Sequence, residues 1–243
     1  MLKRSLAFLC AALLLISIIF FSNCSRVGSS MSGTGNIIHQ DVKIADFTRI
    51  EIRGEFVVEI TQAEKFGITV GTDDNLINRI IVSREDETLK MSIEAPGNFF
   101  PTSLKTTIAM PRIYGLSLFD KARASLSGFQ TTFNFDLRVS KSSSASGYLE
   151  SGITKFIISE ASQVTLAGKA LELELEASGK SKLDIGEYVV DNARVDLKGA
   201  SEAVINVISE FDVNLNEASR LYYLGNPIIH DSSISGDSVL QRK

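Results

Sequence analysis

Apolar and polar residues alternate along much of this chain with a period of two. From Phe47 the apolar positions are Ile50, Ile52, Phe56, Val58 and Ile60, with Arg49, Glu51, Arg53, Glu55 and Glu59 between them. That period puts successive side chains on opposite faces of a strand, so the segment predicts strands with one buried face. Gly54 separates the two runs as a turn or bulge. Further short strands are predicted at Gly67–Val70, Ile80–Ser83, Leu89–Ile93 and Lys105–Met110. Asp73-Asp74-Asn75 and Pro96-Gly97-Asn98 carry turn chemistry.

The second half repeats. Six reference residues, Leu118, Val139, Ile158, Leu175, Leu197 and Leu215, are spaced by 21, 19, 17, 22 and 18. Two positions before them stand Leu116, Leu137, Phe156, Leu173, Val195 and Val213, all apolar. Four positions after them stand Ala122, Ser143, Ser162, Gly179, Ser201 and Ser219, all small. Eight after stand Leu126, Gly147, Leu166, Leu183, Ile205 and Tyr223, mostly large. Each unit therefore reads as a strand, a tight corner of small residues and a second strand. A unit of about 19 residues buries its apolar face only by stacking on its neighbours. Leu171-Glu172-Leu173-Glu174-Leu175-Glu176 states the rule most plainly, leucines in and glutamates out. The alternative, an antiparallel sandwich with strands every 8–12 residues, leaves the constant small column unexplained. The expected fold is all-β, a right-handed parallel β-helix or solenoid over residues 37–240.

This register makes two sharper expectations. Three positions before the reference residues lie Asp136, Lys155, Glu172, Arg194 and Asp212, whose signs alternate. Glu172 should then stand between Lys155 and Arg194 in an outward ladder, while Glu174 and Asp196 meet as like charges beside it. Ser140, just past a reference residue, is expected to face solvent.

The N-terminus reads as an address. Lys3 and Arg4 precede a 16-residue uncharged run, Leu6 to Phe21, which fits a signal-peptide core better than a span of about 20 apolar residues. The run closes on Phe21-Ser22-Asn23-Cys24, which resembles the lipobox of bacterial lipoproteins, where the chain is cut before a Cys that takes diacylglycerol. Phe21 and Asn23 depart from the usual leucine and small residue. Residues 1–23 are thus expected to be a lipoprotein signal peptide and Cys24 the lipidated, palmitate-bearing residue; ordinary secretion or an uncleaved helix would also export the chain. Residues 24–36, rich in Ser and Gly, suit a flexible tether. Cleavage would leave 23 basic residues against 29 acidic, a charge of −6, which gives the folded domain no electrostatic reason to hold an anionic membrane or nucleic acid. The cysteines, Cys10 and Cys24, both fall in or beside the apolar run, so the domain has no disulfide.

Candidate chemistry is sparse. Acidic groups Glu51/Glu55/Glu59 and Glu172/Glu174/Glu176 would serve a polysaccharide lyase or hydrolase, but they read as solvated strand faces, and Trp is absent. His39 and His230 lie at opposite ends of the chain; Asp231 adjoins His230 without ligand spacing. Asp73-Asp74-Asn75 lacks the spaced acids of a calcium loop, and Gly33-Thr34-Gly35 lacks the lysine of a phosphate loop. No catalytic residue, metal ligand or cofactor is assigned.

Several segments together resemble the head GIN domain of putative auto-transporter adhesins. They are Phe47-Thr-Arg-Ile-Glu-Ile-Arg-Gly54, Phe56-Val-Val-Glu-Ile-Thr-Gln62, Asp74-Asn75-Leu76, Leu89-Lys-Met-Ser-Ile93, the corners Gly199-Ala200-Ser201 and Glu217-Ala218-Ser219, and Leu221-Tyr-Tyr-Leu-Gly-Asn-Pro227 with Ser235-Gly236. Gly-Ile-Asn repeats are poorly kept, Gly35-Asn36-Ile37 being the nearest trace. The resemblance implies a β-helical fold and a cell-envelope location. The expected role is a non-enzymatic lipoprotein of the bacterial envelope, at the outer membrane, held through its lipid and presenting a binding or structural solenoid to a polysaccharide or an envelope or host protein. A β-helical carbohydrate-active enzyme is the alternative.

Overall fold

Strand-forming β-branched residues and period-two burial carry through into a computed structural model that describes residues 30–94 and 99–243. Cys10, Cys24, the expected signal segment and the turn expected at Pro96-Gly97-Asn98 lie outside the described residues. The first half contains β1 (Met31–Ser32), β2 (Ile37–Asp41), β3 (Arg49–Arg53), β4 (Val57–Gln62), β5 (Gly67–Asp73), β6 (Ile80–Glu85), β7 (Thr88–Ile93), β8 (Phe99–Phe100) and β9 (Leu104–Met110). The repeats supply β10 (Gly115–Phe119), β11 (Arg123–Gln130), β12 (Phe135–Val139), β13 (Ser144–Glu150), β14 (Ile153–Ile158), β15 (Gln163–Ala177), β16 (Lys182–Leu197), β17 (Glu202–Leu215), β18 (Arg220–Leu224), β19 (Ile228–Ile234) and β20 (Val239–Arg242).

The strands stack in two columns as a parallel β-solenoid of about 6 turns. One column runs β7–β3–β10–β12–β14 and on through the second halves of β15, β16 and β17 to β19. The other runs β9–β4–β11–β13, the first halves of β15, β16 and β17, then β18 and β20. Between them lies one apolar core, from Phe47 through Leu137 and Phe156 to Leu215 and Leu221.

Rung order differs from chain order at the N-terminal end. β7 and β9 form the outermost parallel rung although they follow β3 and β4 in sequence. Antiparallel β6 covers β7, and antiparallel β5, itself paired with β2, covers β9. These antiparallel pairings satisfy polar groups on β7 and β9 that an open sheet edge would leave unpaired.

The corners have a common backbone. The second and third residues after each reference position are both left-handed: Asp120-Lys121, Lys141-Ser142, Glu160-Ala161, Gly179-Lys180, Gly199-Ala200, Glu217-Ala218 and Gly236-Asp237, with φ from 55° to 68°. Residues with a Cβ are strained there. A ladder of hydrogen bonds between corners holds them: the amides of Lys121, Ser142, Ala161, Lys180, Ala200 and Ala218 donate to the carbonyls of Lys141, Glu160, Gly179, Gly199, Glu217 and Gly236 at 2.5–3.0 Å. The small column is buried from Ala122 to Ser219, and at three of its corners the hydroxyl also closes the turn. Ser181, Ser201 and Ser219 hydroxyls donate back across the corner to the carbonyls of Ser178, Lys198 and Asn216.

The structure corrects the sequence reading at four points. In the fourth unit the reference residue is Ala177, not Leu175, because Ile158 pairs with Ala177 and Ala177 with Leu197. The small residue is accordingly Ser181 rather than Gly179, which occupies the left-handed position. An alternating Leu-Glu run looks the same after a slip of two, and alanine is a weak marker of the core. Second, Leu171 is 60% exposed while Leu173 and Leu175 are buried; it lies where the chain returns between columns. Third, Ser140 is buried, since it already belongs to the corner, where alternation lapses. Fourth, residues 31–36, assigned to the tether, are docked: β1 pairs with β8, and Thr34 to Asn36 bond to the Asp73-Asp74-Asn75 turn.

Ser201→Leu should lower stability by about 1–3 kcal/mol, the usual cost of overpacking, because Ser201 is buried and holds its corner. Ser146→Leu, on the exposed side of β13, should change the melting temperature little; equal losses would show that the small column is not the constraint.

Candidate functional site

The most ordered array of charge lies on the outer face of the first column. Three positions before the reference residues the register reads Arg49, Gly115, Asp136, Lys155, Glu174, Arg194 and Asp212. The expected alternation of sign is therefore present, with Glu174 in place of Glu172 between Lys155 and Arg194. It extends one step further than the sequence suggested. Gly115 separates Arg49 from Asp136, yet Arg49 Nη1 reaches Asp136 Oδ2 at 2.8 Å. A Cβ on Gly115 would stand 2.6 Å from that guanidinium nitrogen, so the missing side chain opens the path. Lys155 Nζ meets Glu174 Oε2 at 3.0 Å and Glu176 Oε1 at 3.2 Å. Glu174 first, and Glu176 second, hold its ammonium above the usual lysine range.

The like-charge contact expected beside the ladder also moves by two residues, to Glu176 and Asp196. Lys155 serves Glu176, and the Asn214 amide donates to Asp196 Oδ2 at 3.0 Å. Both carboxylates thus have partners on their far sides. Exposed pairs of this kind contribute only ~0.2–1 kcal/mol each; a slip of two that carried Asp196 to the place of Arg194 would set it between Glu174 and Asp212, whereas the Glu172-Glu174-Glu176 run keeps its sign through such a slip.

Toward the C-terminal end this face sinks into a depression of about 660 Å³ lined by Glu172, Glu174, Arg194, Glu210, Asp212, His230 and Asp231. His230 Nε2 lies 3.7 Å from Glu210 Oε1, and the Asp231 amide donates to Asp212. Among the described residues Arg194 has no carboxylate within the 4.0 Å of an ion pair. The depression is thus acidic with one available guanidinium. It is an open, solvated trough, suited to polar recognition along an extended partner.

The other residues singled out in the sequence are dispersed. Glu51 pairs with Arg53 at 2.8 Å and Glu55 with Lys121 at 2.6 Å, while Glu59 stands on the second column. His39 lies on β2 opposite Gly71, far in the topology from His230 on β19. Asp73-Asp74-Asn75 and Gly33-Thr34-Gly35, read separately as turn and linker, bind each other. The fully buried Asp73 carboxylate accepts from the Gly35 amide at 2.7 Å, the Thr102 amide at 2.9 Å and the Thr102 hydroxyl at 2.6 Å. The Thr102 hydroxyl foremost holds this carboxyl below the usual range. A side chain on Gly33 would collide with the same carboxylate. These acids are filled by protein donors and act as a clasp for residues 33–36.

Stacked rungs, a covered N-terminal end and a charged outer face define a parallel β-solenoid scaffold. The chain belongs to the family described as "Putative auto-transporter adhesin, head GIN domain", whose model matches residues 46–227. Solved structures share the fold. A putative adhesin from Bacteroides fragilis superposes with a TM-score of 0.81 at 21% identity, over 88% of this chain and 100% of that one. A putative adhesin from Parabacteroides merdae gives 0.72 at 15% identity, over 88% and 99%. A protein from Parabacteroides distasonis described as a putative lipid binding protein gives 0.70 at 15%, over 88% and 100%. No curated protein matches the chain.

Proposed function

We propose that this chain is an exported lipoprotein of the bacterial cell envelope, anchored through Cys24, whose solenoid is a non-catalytic binding surface. The observation that carries the reading is the ladder from Arg49 to Asp212: a regular, outward array of charge fixed on a hydrogen-bonded scaffold. Membership of the adhesin-head family supports it. Recognition by such a face depends on preorganisation, since side chains held by neighbouring rungs lose little freedom on binding. The partner class is a polymer or protein long enough to contact several rungs, such as an envelope polysaccharide or a surface protein. Two acyl chains suffice for stable membrane attachment, and the tether that follows Cys24 would hold the solenoid off the bilayer.

Metabolic labelling with a clickable fatty acid tests the anchor. Label should be abolished by Cys24→Ala and unaffected by Cys10→Ala; retention of label in Cys24→Ala would end the lipoprotein reading. Release of shortened products from a polysaccharide incubated with the purified protein would contradict the non-catalytic part.

A further inference from the structure

A second depression, away from the charged ladder, combines groups of a different kind. It forms where strands of the second column end and the chain returns to the first. Its volume is about 470 Å³, and its lining includes Gln62, Arg112, Gln130, Phe133 and Glu150. Phe133 is 50% exposed, unlike the core phenylalanines of the repeats. The Tyr114 ring supports it edge-on, with centroids 5.3 Å apart, and the Arg112 guanidinium lies 5.8 Å from the Phe133 ring centre.

The polar groups here are held by one another. The Gln62 side chain donates to the Pro111 carbonyl at 3.1 Å and accepts from the Gln130 backbone N–H at 3.3 Å. Gln130 Nε2 reaches Glu150 Oε1 at 3.4 Å, and the Tyr148 hydroxyl donates to the same oxygen at 2.6 Å. Lys169 Nζ meets Glu150 Oε2 at 3.2 Å. Two amides and a carboxylate held by these bonds, together with the Arg112 guanidinium, therefore line the same depression as one half-exposed aromatic ring. Side-chain amides both donate and accept, the carboxylate accepts, and the guanidinium donates.

We propose that this depression is a saccharide-binding subsite. A pyranose ring has an apolar C–H face and a rim of hydroxyls that both donate and accept. The Phe133 ring matches the face; Gln62, Gln130, Glu150 and Arg112 match the rim. Small-ligand sites are concave and combine apolar and aromatic lining, here Ile113, Phe129 and Phe133, with a few placed polar groups, and holding those groups in advance reduces the ordering cost of binding. The inference rests on the reading of the solenoid as a non-catalytic binder and names a partner class for it.

The test uses the full chain in detergent, titrated with maltohexaose, cellohexaose, chitohexaose and oligogalacturonate by calorimetry, with contact mapped by saturation-transfer NMR. At least one should bind. Phe133→Ala and Arg112→Ala should each weaken that binding by about tenfold or more, which is ~1.4 kcal/mol. Phe100→Ala, also exposed but outside the depression, should not. Circular dichroism would confirm that the variants stay folded. Failure of all four sugars to bind, or binding that survives both Phe133→Ala and Arg112→Ala, overturns the subsite. Sugar binding that survives both leaves the broader binding reading standing, because another face then holds the sugar. Cleavage of any of the four would overturn that broader reading instead.

Discussion

Gly147→Ala and Gly168→Ala should each destabilise the protein by about 3 kcal/mol or more, among the most severe single substitutions in the chain. Gly147 has φ 125° and Gly168 φ 128°, a conformation that residues with a side chain rarely adopt. A Cβ at Gly147 would run into the Leu126 carbonyl oxygen of the preceding rung, and one at Gly168 into that of Leu149. Backbone, unlike a flexible side chain, has no room to give, because those rungs are themselves paired on both sides. The sequence had flagged Gly147 as the exception in a column otherwise filled by large residues. The close approach of the next rung is the reason. Gly67→Ala is the control: its Cβ would meet only Ala109, at an ordinary 3.7 Å, and stability should change by less than about 0.5 kcal/mol. Chemical denaturation of the three variants separates backbone congestion from general intolerance of alanine in strands.

Tyr188→Ala should cost about 3–5 kcal/mol, as for other large aromatic truncations in a core. Tyr188 is among the largest fully buried side chains and lies 5.9 Å from the Phe156 ring. Its hydroxyl makes a 2.8 Å hydrogen bond with the buried Ser151 Oγ. Tyr188→Phe keeps the ring and removes that partner, for about 1–3 kcal/mol. The same burial pushes the phenol up to about 12, against an ordinary value of about 10. Because the folded value is raised, the stability it contributes is present at neutral pH. It begins to fall above about pH 10 and is lost as pH rises through about 12. Tyr188→Phe should remove this component of alkaline unfolding; an unchanged alkaline transition would show that another group carries it.

The stacking of units was legible in the sequence because burial on one face imposes period two and tight corners impose small residues. Where those pressures weaken, the reading failed. Ala177 is small enough to pass for a non-core position, and the flanking Leu-Glu alternation permits a slip of two, so the fourth rung was displaced. Left-handed corner pairs such as Glu160-Ala161 carry no glycine, and their conformation is sustained by bonds from adjacent corners that no local pattern reveals. The return of β7 and β9 to the outer side of β3 and β4 is a long-range event, invisible to periodicity. Likewise Asp73 and Gly35 look like a turn and a linker until the fold brings them to 2.7 Å. The ladder was legible because charges of alternating sign recur on one strand position, and it kept its pattern through the register error because Glu174 replaces Glu172 without changing sign. The subsite at Phe133 was missed: Gln62, Arg112, Gln130 and Glu150 come from four separate segments, joined only by the stacking of rungs.

Stacked rungs set a fixed register and thereby the charged face. Paired cysteines test it most directly. In a Cys10→Ser, Cys24→Ser background, Lys155→Cys combined with Glu174→Cys places the thiols on directly neighbouring strand positions, about 4.8 Å apart in backbone spacing and within disulfide reach. Lys155→Cys with Glu172→Cys displaces one thiol by two residues along the strand. Under mild oxidation, non-reducing mass spectrometry should find the 155–174 cross-link formed rapidly and the 155–172 cross-link slowly or not at all. Preferential formation of the 155–172 cross-link would contradict the register, and with it the face on which the functional reading depends.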